Sequence, residues 1–173
     1  MQAPELQIQQ WFNTTTAPTL GALRGKVVLI EAFQMLCPGC VSHGLPLAQK
    51  VHDAFPQDKV AVLGLHSVFE HHDAMQPVSL EAFLHEYRIT FPVGVDQPGT
   101  GAMPQTMQAY KMRGTPSLIL IDKSGQMRAH HFGTVSELML GAEIATLLGE
   151  EVTARSATAG GQSACDDTGC EAS

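Results

Sequence analysis

Apolar positions along this chain fall into blocks of two different periods. Lys26-Val27-Val28-Leu29-Ile30-Glu31-Ala32-Phe33 is almost continuously apolar and rich in β-branched residues, as is a strand buried on both faces. Lys59 to Leu65 and Leu118-Ile119-Leu120-Ile121-Asp122 repeat that pattern. Between these blocks the period changes to that of a helix. From Pro38 to Phe55 the stripe is Val41, Leu45, Ala48 and Phe55; from Leu80 to Arg88 it is Leu80, Phe83, Leu84 and Tyr87; near the end it is Leu140, Ile144 and Leu147. Ser79, with Val78 stapling onto Phe83, and Ser136 supply N-caps, and Gly149 ends the last helix. Shorter elements fill the gaps: a strand in residues 4–12, one turn of helix from Thr19 to Leu23, a strand from Phe91 to Val95 and a helix from Met103 to Lys111. A hairpin joins residues 117–122 to 126–132 through Lys123-Ser124-Gly125, where Gly125 takes the positive φ. Strands alternating with helices predict one α/β domain over residues 1–150. Beyond it Ala, Thr, Ser and Gly dominate, which predicts a disordered tail over 151–173 that carries Cys165 and Cys170.

Cys37-Pro38-Gly39-Cys40 sits where the first buried strand gives way to a helix. Pro38 suits the first helical turn, because its fixed φ is already helical and its missing N–H has no role there. Cys37 then lies at the helix N-terminus, where unpaired N–H groups and the helix dipole favour a thiolate. Cys40 lies three residues on, within disulfide reach and on a more buried face. A zinc knuckle is the competing reading of any such pair, but zinc takes four ligands, and no second CxxC or HxxxH lies in the folded part. Pro46 inside the helix removes a backbone hydrogen bond and predicts a kink.

Glu31 stands six residues before Cys37, and Gly114-Thr115-Pro116-Ser117 leads into a later apolar strand. Together with Cys37 and Cys40 these features resemble the thioredoxin fold, and more closely its TlpA-like redoxin branch (AhpC/TSA-related), across roughly residues 4–150. The resemblance implies a three-layer α/β/α sandwich around a mixed sheet, with an N-terminal extension and a helix–strand insertion within residues 79–101. It also implies that Glu31 moves the proton of the resolving thiol, and that Pro116 is a cis-proline facing the disulfide. Cys37 is then the nucleophile and Cys40 the resolving thiol, with Pro38, Gly39 and Thr115 contacting substrate. A buried carboxyl has a raised pKa, which fits proton transfer. The bland alternatives are an inert thiol pair, a glutamate reaching solvent at a sheet edge, and an ordinary trans proline opening a strand.

Overall composition narrows the function further. The 173 residues are 44% hydrophobic and 16% charged, ordinary for a globular protein. The net charge is −7, so no basic field exists to attract nucleic acid or anionic lipid. No run nears the length of a membrane span, and Met1-Gln2-Ala3-Pro4-Glu5 is unlike a signal peptide. The expected address is cytoplasmic, or periplasmic if the chain is the mature form of an exported protein. His66, His71 and His72, with Glu70, Asp73 and His43, offer a metal-binding or metal-delivery alternative. The plainer expectation is a solvated loop on the same rim as Cys37 and no bound metal. Trp11 is expected to pack beneath the active-site edge. The tail thiols Cys165 and Cys170 are either an accessory dithiol or dispensable. The leading expectation is a monomeric thiol–disulfide oxidoreductase without cofactor, exchanging with a protein or small-molecule disulfide and recharged by an electron donor. A thiol peroxidase is the other enzyme reading; it is weakened by Gln34, which stands where peroxiredoxins carry Thr or Ser three residues before the reactive cysteine.

Overall fold

The computed structural model describes residues 1–151. Its elements in chain order are β1 (Ile8–Phe12), β2 (Val27–Phe33), a π-helical turn (Cys40–Gly44) running directly into α1 (Leu45–Ala54), β3 (Val60–His66), α2 (Pro77–Glu86), β4 (Val93–Asp96), α3 (Gln105–Ala109), β5 (Ser117–Ile121), β6 (Met127–Phe132) and α4 (Glu137–Gly149). The three apolar runs become the middle of one six-stranded sheet ordered β1-β4-β3-β2-β5-β6. β2 lies parallel to β3 and antiparallel to β5, so the sheet is mixed. All seven residues of β2 are buried, as a strand covered on both faces requires.

Alternation along β2 divides the core into two layers. Val27, Leu29 and Phe33 pack with residues of α1, α2 and α4, while Val28, Ile30 and Ala32 face Leu20, Met107, Tyr110 and Met112 on the other side. Glu31 therefore points to the helix-rich face, beneath the segment that carries Cys40. This is the expected three-layer sandwich, with α2 and β4 forming the inserted helix–strand unit.

Several boundaries differ from the sequence expectation for identifiable reasons. The N-terminal strand begins at Ile8 rather than near residue 4, because the leg before it is pinned by other bonds. The Glu5 carboxylate accepts the Leu20 N–H at 2.7 Å, and the Tyr110 hydroxyl donates to the Pro4 carbonyl at 2.7 Å. Trp11 pairs with Gly94 at the far edge of the sheet and does not lie beneath the cysteines. α2 starts two residues before Ser79, since Pro77 takes the first turn and Gln76 the cap position, and Val78 is exposed rather than stapled to Phe83. β4 starts after Pro92 and α3 after Pro104, which shortens both. Ser136 occupies the N-cap of α4 without a side-chain capping bond.

Candidate active site

β2 delivers the chain to the site, and the helix carries it away. Pro38 and Gly39 are already helical, and the next five residues widen into the π-turn, in which the Leu45 N–H donates to the Cys40 carbonyl. The expected disturbance at Pro46 takes this form: one wide turn just before the proline, which has no N–H to give. Cys37 is half-buried and Cys40 fully buried, and the two are joined as a disulfide with Cα atoms 5.2 Å apart. The Cys40 N–H donates to Cys37 Sγ at 3.2 Å, so a helix N-terminal N–H is aimed at the sulfur that would carry charge. Across the gap, Cys37 Sγ lies 3.6 Å from the Thr115 carbonyl oxygen. The Thr115–Pro116 peptide is cis, and the Pro116 carbonyl accepts the Gly133 N–H at 2.9 Å, which ties this corner to the end of β6.

Glu31 is buried on the same face, and burial alone holds its carboxyl well above the usual carboxylate range. One carboxyl oxygen, Oε1, has no hydrogen-bond partner in the protein. Gly44 makes this position possible. A Cβ there would overlap Glu31 Oε1, and would stand 3.0 Å from Glu31 Cδ and 3.2 Å from Pro116 Cβ. The π-turn and its glycine thus let Glu31 and Pro116 meet beneath the segment that carries Cys40. Sequence reading passed over Gly44, although a glycine inside a helical pattern usually has a packing reason. Beside Glu31 lies a cavity of about 10 Å³, lined by His43, Leu47, Leu118 and the Gly133-Thr134-Val135 turn and large enough for one water molecule.

The histidine loop is divided. His66 closes β3 and is fully buried, with neither ring nitrogen bonded and its ring 5.2 Å from that of Phe33, its registered partner. Burial lowers its pKa to about 4, so it is neutral. The expectation that His66 lies solvated on the rim is therefore corrected: strand alternation turns it inward with Phe33. His71 and His72 are exposed, and among the described residues no three His, Cys, Asp or Glu side chains gather as metal ligands. Gln34 is another residue sequence reading undervalued. It is buried, its Oε1 accepts the Phe69 N–H at 3.1 Å, and its Nε2 donates to Glu70 at 3.3 Å. It pins the loop after β3 beside the cysteines, and no local pattern announces that role. Cys165 and Cys170, with the tail expected to be disordered, lie outside the described residues.

Residues 1–130 match the model of the AhpC/TSA family. The chain belongs to that family. Among AhpC/TSA and thioredoxin-fold relatives, it is 25% identical over 122 residues to thiol-disulfide oxidoreductase ResA of Halalkalibacterium halodurans, covering 70% of this chain and 62% of that protein. It is 30% identical over 134 residues to protein DipZ of Mycobacterium bovis, covering 76% of this chain but 18% of that protein. The chain thus spans less than two thirds of the length of these relatives. A thioredoxin-like superfamily protein of known crystal structure is 79% identical with a TM-score of 0.86, covering 87% of this chain and 98% of the other. A thiol-disulfide isomerase from Corynebacterium glutamicum is 49% identical with a TM-score of 0.82, covering 86% and 98%. These neighbours carry the thioredoxin-like fold, in agreement with the mixed sheet and its flanking helices.

Proposed function

We propose that this protein is a thiol–disulfide oxidoreductase in which Cys37 attacks and Cys40 resolves. The observation that carries the reading is the unequal exposure of the two sulfurs at a helix N-terminus: Cys37 reaches solvent beside Thr115, and Cys40 does not. A partner disulfide approaching this edge meets only Cys37. The Cys37 thiolate bonds to one partner sulfur and expels the other as a thiolate. Cys40 then bonds to Cys37 and releases the partner dithiol.

Glu31 serves the resolving step as proton acceptor for Cys40 and returns the proton in the reverse direction. Burial raises its pKa toward that of the thiol with which it exchanges the proton. The small cavity beside Glu31, lined also by the exposed His43, gives that proton a route toward solvent. The backbone at Thr115, with Pro38 and Gly39 opposite, offers an extended partner segment a place to pair, in the manner of an added strand. The partner is a protein or small-molecule disulfide, and an external donor recharges the protein, a monomer with one domain over residues 1–150. Among the described residues no helix is long and apolar enough to cross a membrane. A cytoplasmic address makes the working direction reductive; an oxidising compartment would reverse it.

Reduction of a dye-linked aromatic disulfide and of a protein disulfide tests this directly. Cys37→Ser should abolish both activities, and Cys40→Ser should leave the partner covalently bonded to Cys37. Turnover surviving in Cys37→Ser, or partner trapped on Cys40 in that variant, would overturn the assignment.

A further inference from the structure

The edge strand β6 connects the active-site corner to the end of α4. At one end of this strand Arg128 is held by Glu150 in a two-point ion pair, Nη1 to Oε2 at 2.5 Å and Nη2 to Oε1 at 2.9 Å. At the other end Phe132 pairs with Ser117 and packs against Gly114. The chain therefore leaves the described structure about one strand length, roughly 14 Å at ~3.4 Å per residue, from Phe132.

Phe132 is half exposed although large and apolar. Arg113 lies over its ring, 5.1 Å from the centroid, and among the described residues Arg113 enters no ion pair. Leu36, also well exposed, precedes Cys37 on the other side of the gap. The exposed Phe132 ring with the Arg113 guanidinium over it, beside the Thr115–Pro116 corner, suits a segment that carries carboxylates beside sulfur. This chain contains such a segment: Cys165-Asp166-Asp167-Thr168-Gly169-Cys170-Glu171. From Glu151 to Cys165 the chain can extend at most ~50 Å at ~3.5 Å per residue, several times the gap to be crossed.

We propose that Cys165 and Cys170 form a second redox dithiol that docks on the Arg113–Phe132 patch and exchanges electrons with the Cys37–Cys40 disulfide. This rests on the reading of Cys37 as the attackable sulfur. One tail thiolate bonds to Cys37 Sγ, breaking the Cys37–Cys40 bond and releasing Cys40 as a thiolate, which takes its proton from Glu31. The second tail thiolate then bonds to the first tail sulfur and frees Cys37. Two electrons pass from the tail dithiol to the active-site disulfide. The two protons that the tail thiols lose go to Glu31, restoring it, and to Cys37 or solvent, so the step balances within the chain. Asp166 and Asp167 disfavour a thiolate at Cys165 in free solution, and the Arg113 guanidinium offsets them once docked. Docking and activation are thereby coupled.

The test uses the full chain with Cys40→Ser combined with either Cys165→Ser or Cys170→Ser, so that no resolving thiol remains, reduced and then treated with one equivalent of diamide at low protein concentration. Peptide mapping should find Cys37 joined to Cys165 or Cys170 within one chain. The rate of that linkage should fall about 3- to 10-fold with Arg113→Glu and again in high salt, as an exposed charge contact does. No Cys37–tail disulfide, or a linkage rate indifferent to both charge reversal and salt, would overturn the proposal. The same variants are also reacted with an added aromatic disulfide. If Cys37 attacks that reagent while no tail linkage forms, the tail inference alone fails; if it attacks neither, the underlying reading of Cys37 fails.

Discussion

Replacing Glu31 by Gln keeps the side-chain volume and removes one titration from the core, and its consequence for stability can be worked out. Burial raises the folded-state pKa of Glu31 well above its ordinary value of 4.5. Between 4.5 and that raised value the folded protein binds a proton there that the unfolded chain has lost. Stability then falls with rising pH by about 1.4 kcal/mol per unit, with the full benefit present below pH 4.5. His66 acts in the opposite sense. Its folded pKa of about 4 lies below the ordinary 6.5, so between those limits the unfolded chain binds the extra proton and stability rises with pH by the same slope. In the native protein the two slopes oppose each other wherever the two windows overlap. Glu31→Gln should remove the Glu31 slope. Urea unfolding of the oxidised protein at successive pH values should show the variant gaining on the native protein by about 1.4 kcal/mol per unit from pH 4.5 upward, until Glu31 ionises in the folded state. Parallel stability curves would mean that Glu31 is not held protonated by burial, and its proton-transfer role would go with it.

Other perturbations follow from the same geometry. Gly44→Ala gains about 1 kcal/mol in helix propensity but forces a Cβ against Glu31 and Pro116, an overpacking cost of about 1–3 kcal/mol. A small net loss of stability and a slowed resolving step are expected, and an active, more stable variant by urea unfolding and stopped-flow exchange would contradict the close packing. His66→Leu removes two unbonded buried ring nitrogens and should stabilise the protein by about 1–3 kcal/mol near pH 5, with a smaller gain above pH 6.5; equal or lower stability at pH 5 would show that the ring is hydrogen-bonded in solution. Gln34→Ala releases the loop after β3, so amide exchange at Phe69 should quicken at least severalfold while β2 exchange stays unchanged.

The sheet was legible because short, β-branched, nearly apolar runs such as Val27–Phe33 have the length and composition of strands covered on both faces. The cysteine pair was legible because Pro38 marks a helix start immediately after such a run. What escaped the sequence depends on contacts between distant segments. Gly44 looks like a poor helix residue until Glu31 and Pro116 are seen against it. His66 looks like part of a polar loop, and only its register opposite Phe33 shows that it faces the core. Gln34 looks unremarkable, and its two bonds reach a loop more than thirty residues away.

Alkylation of the fully reduced protein across pH, with the modified cysteine identified by peptide mapping, tests the assignment of the attacking sulfur most directly. Cys37 should react first, with an apparent pKa well below the ~8.5 of an ordinary thiol, while Cys40 resists until much higher pH or unfolding. Equal reactivity of the two sulfurs near the ordinary value, or faster modification of Cys40, would contradict it.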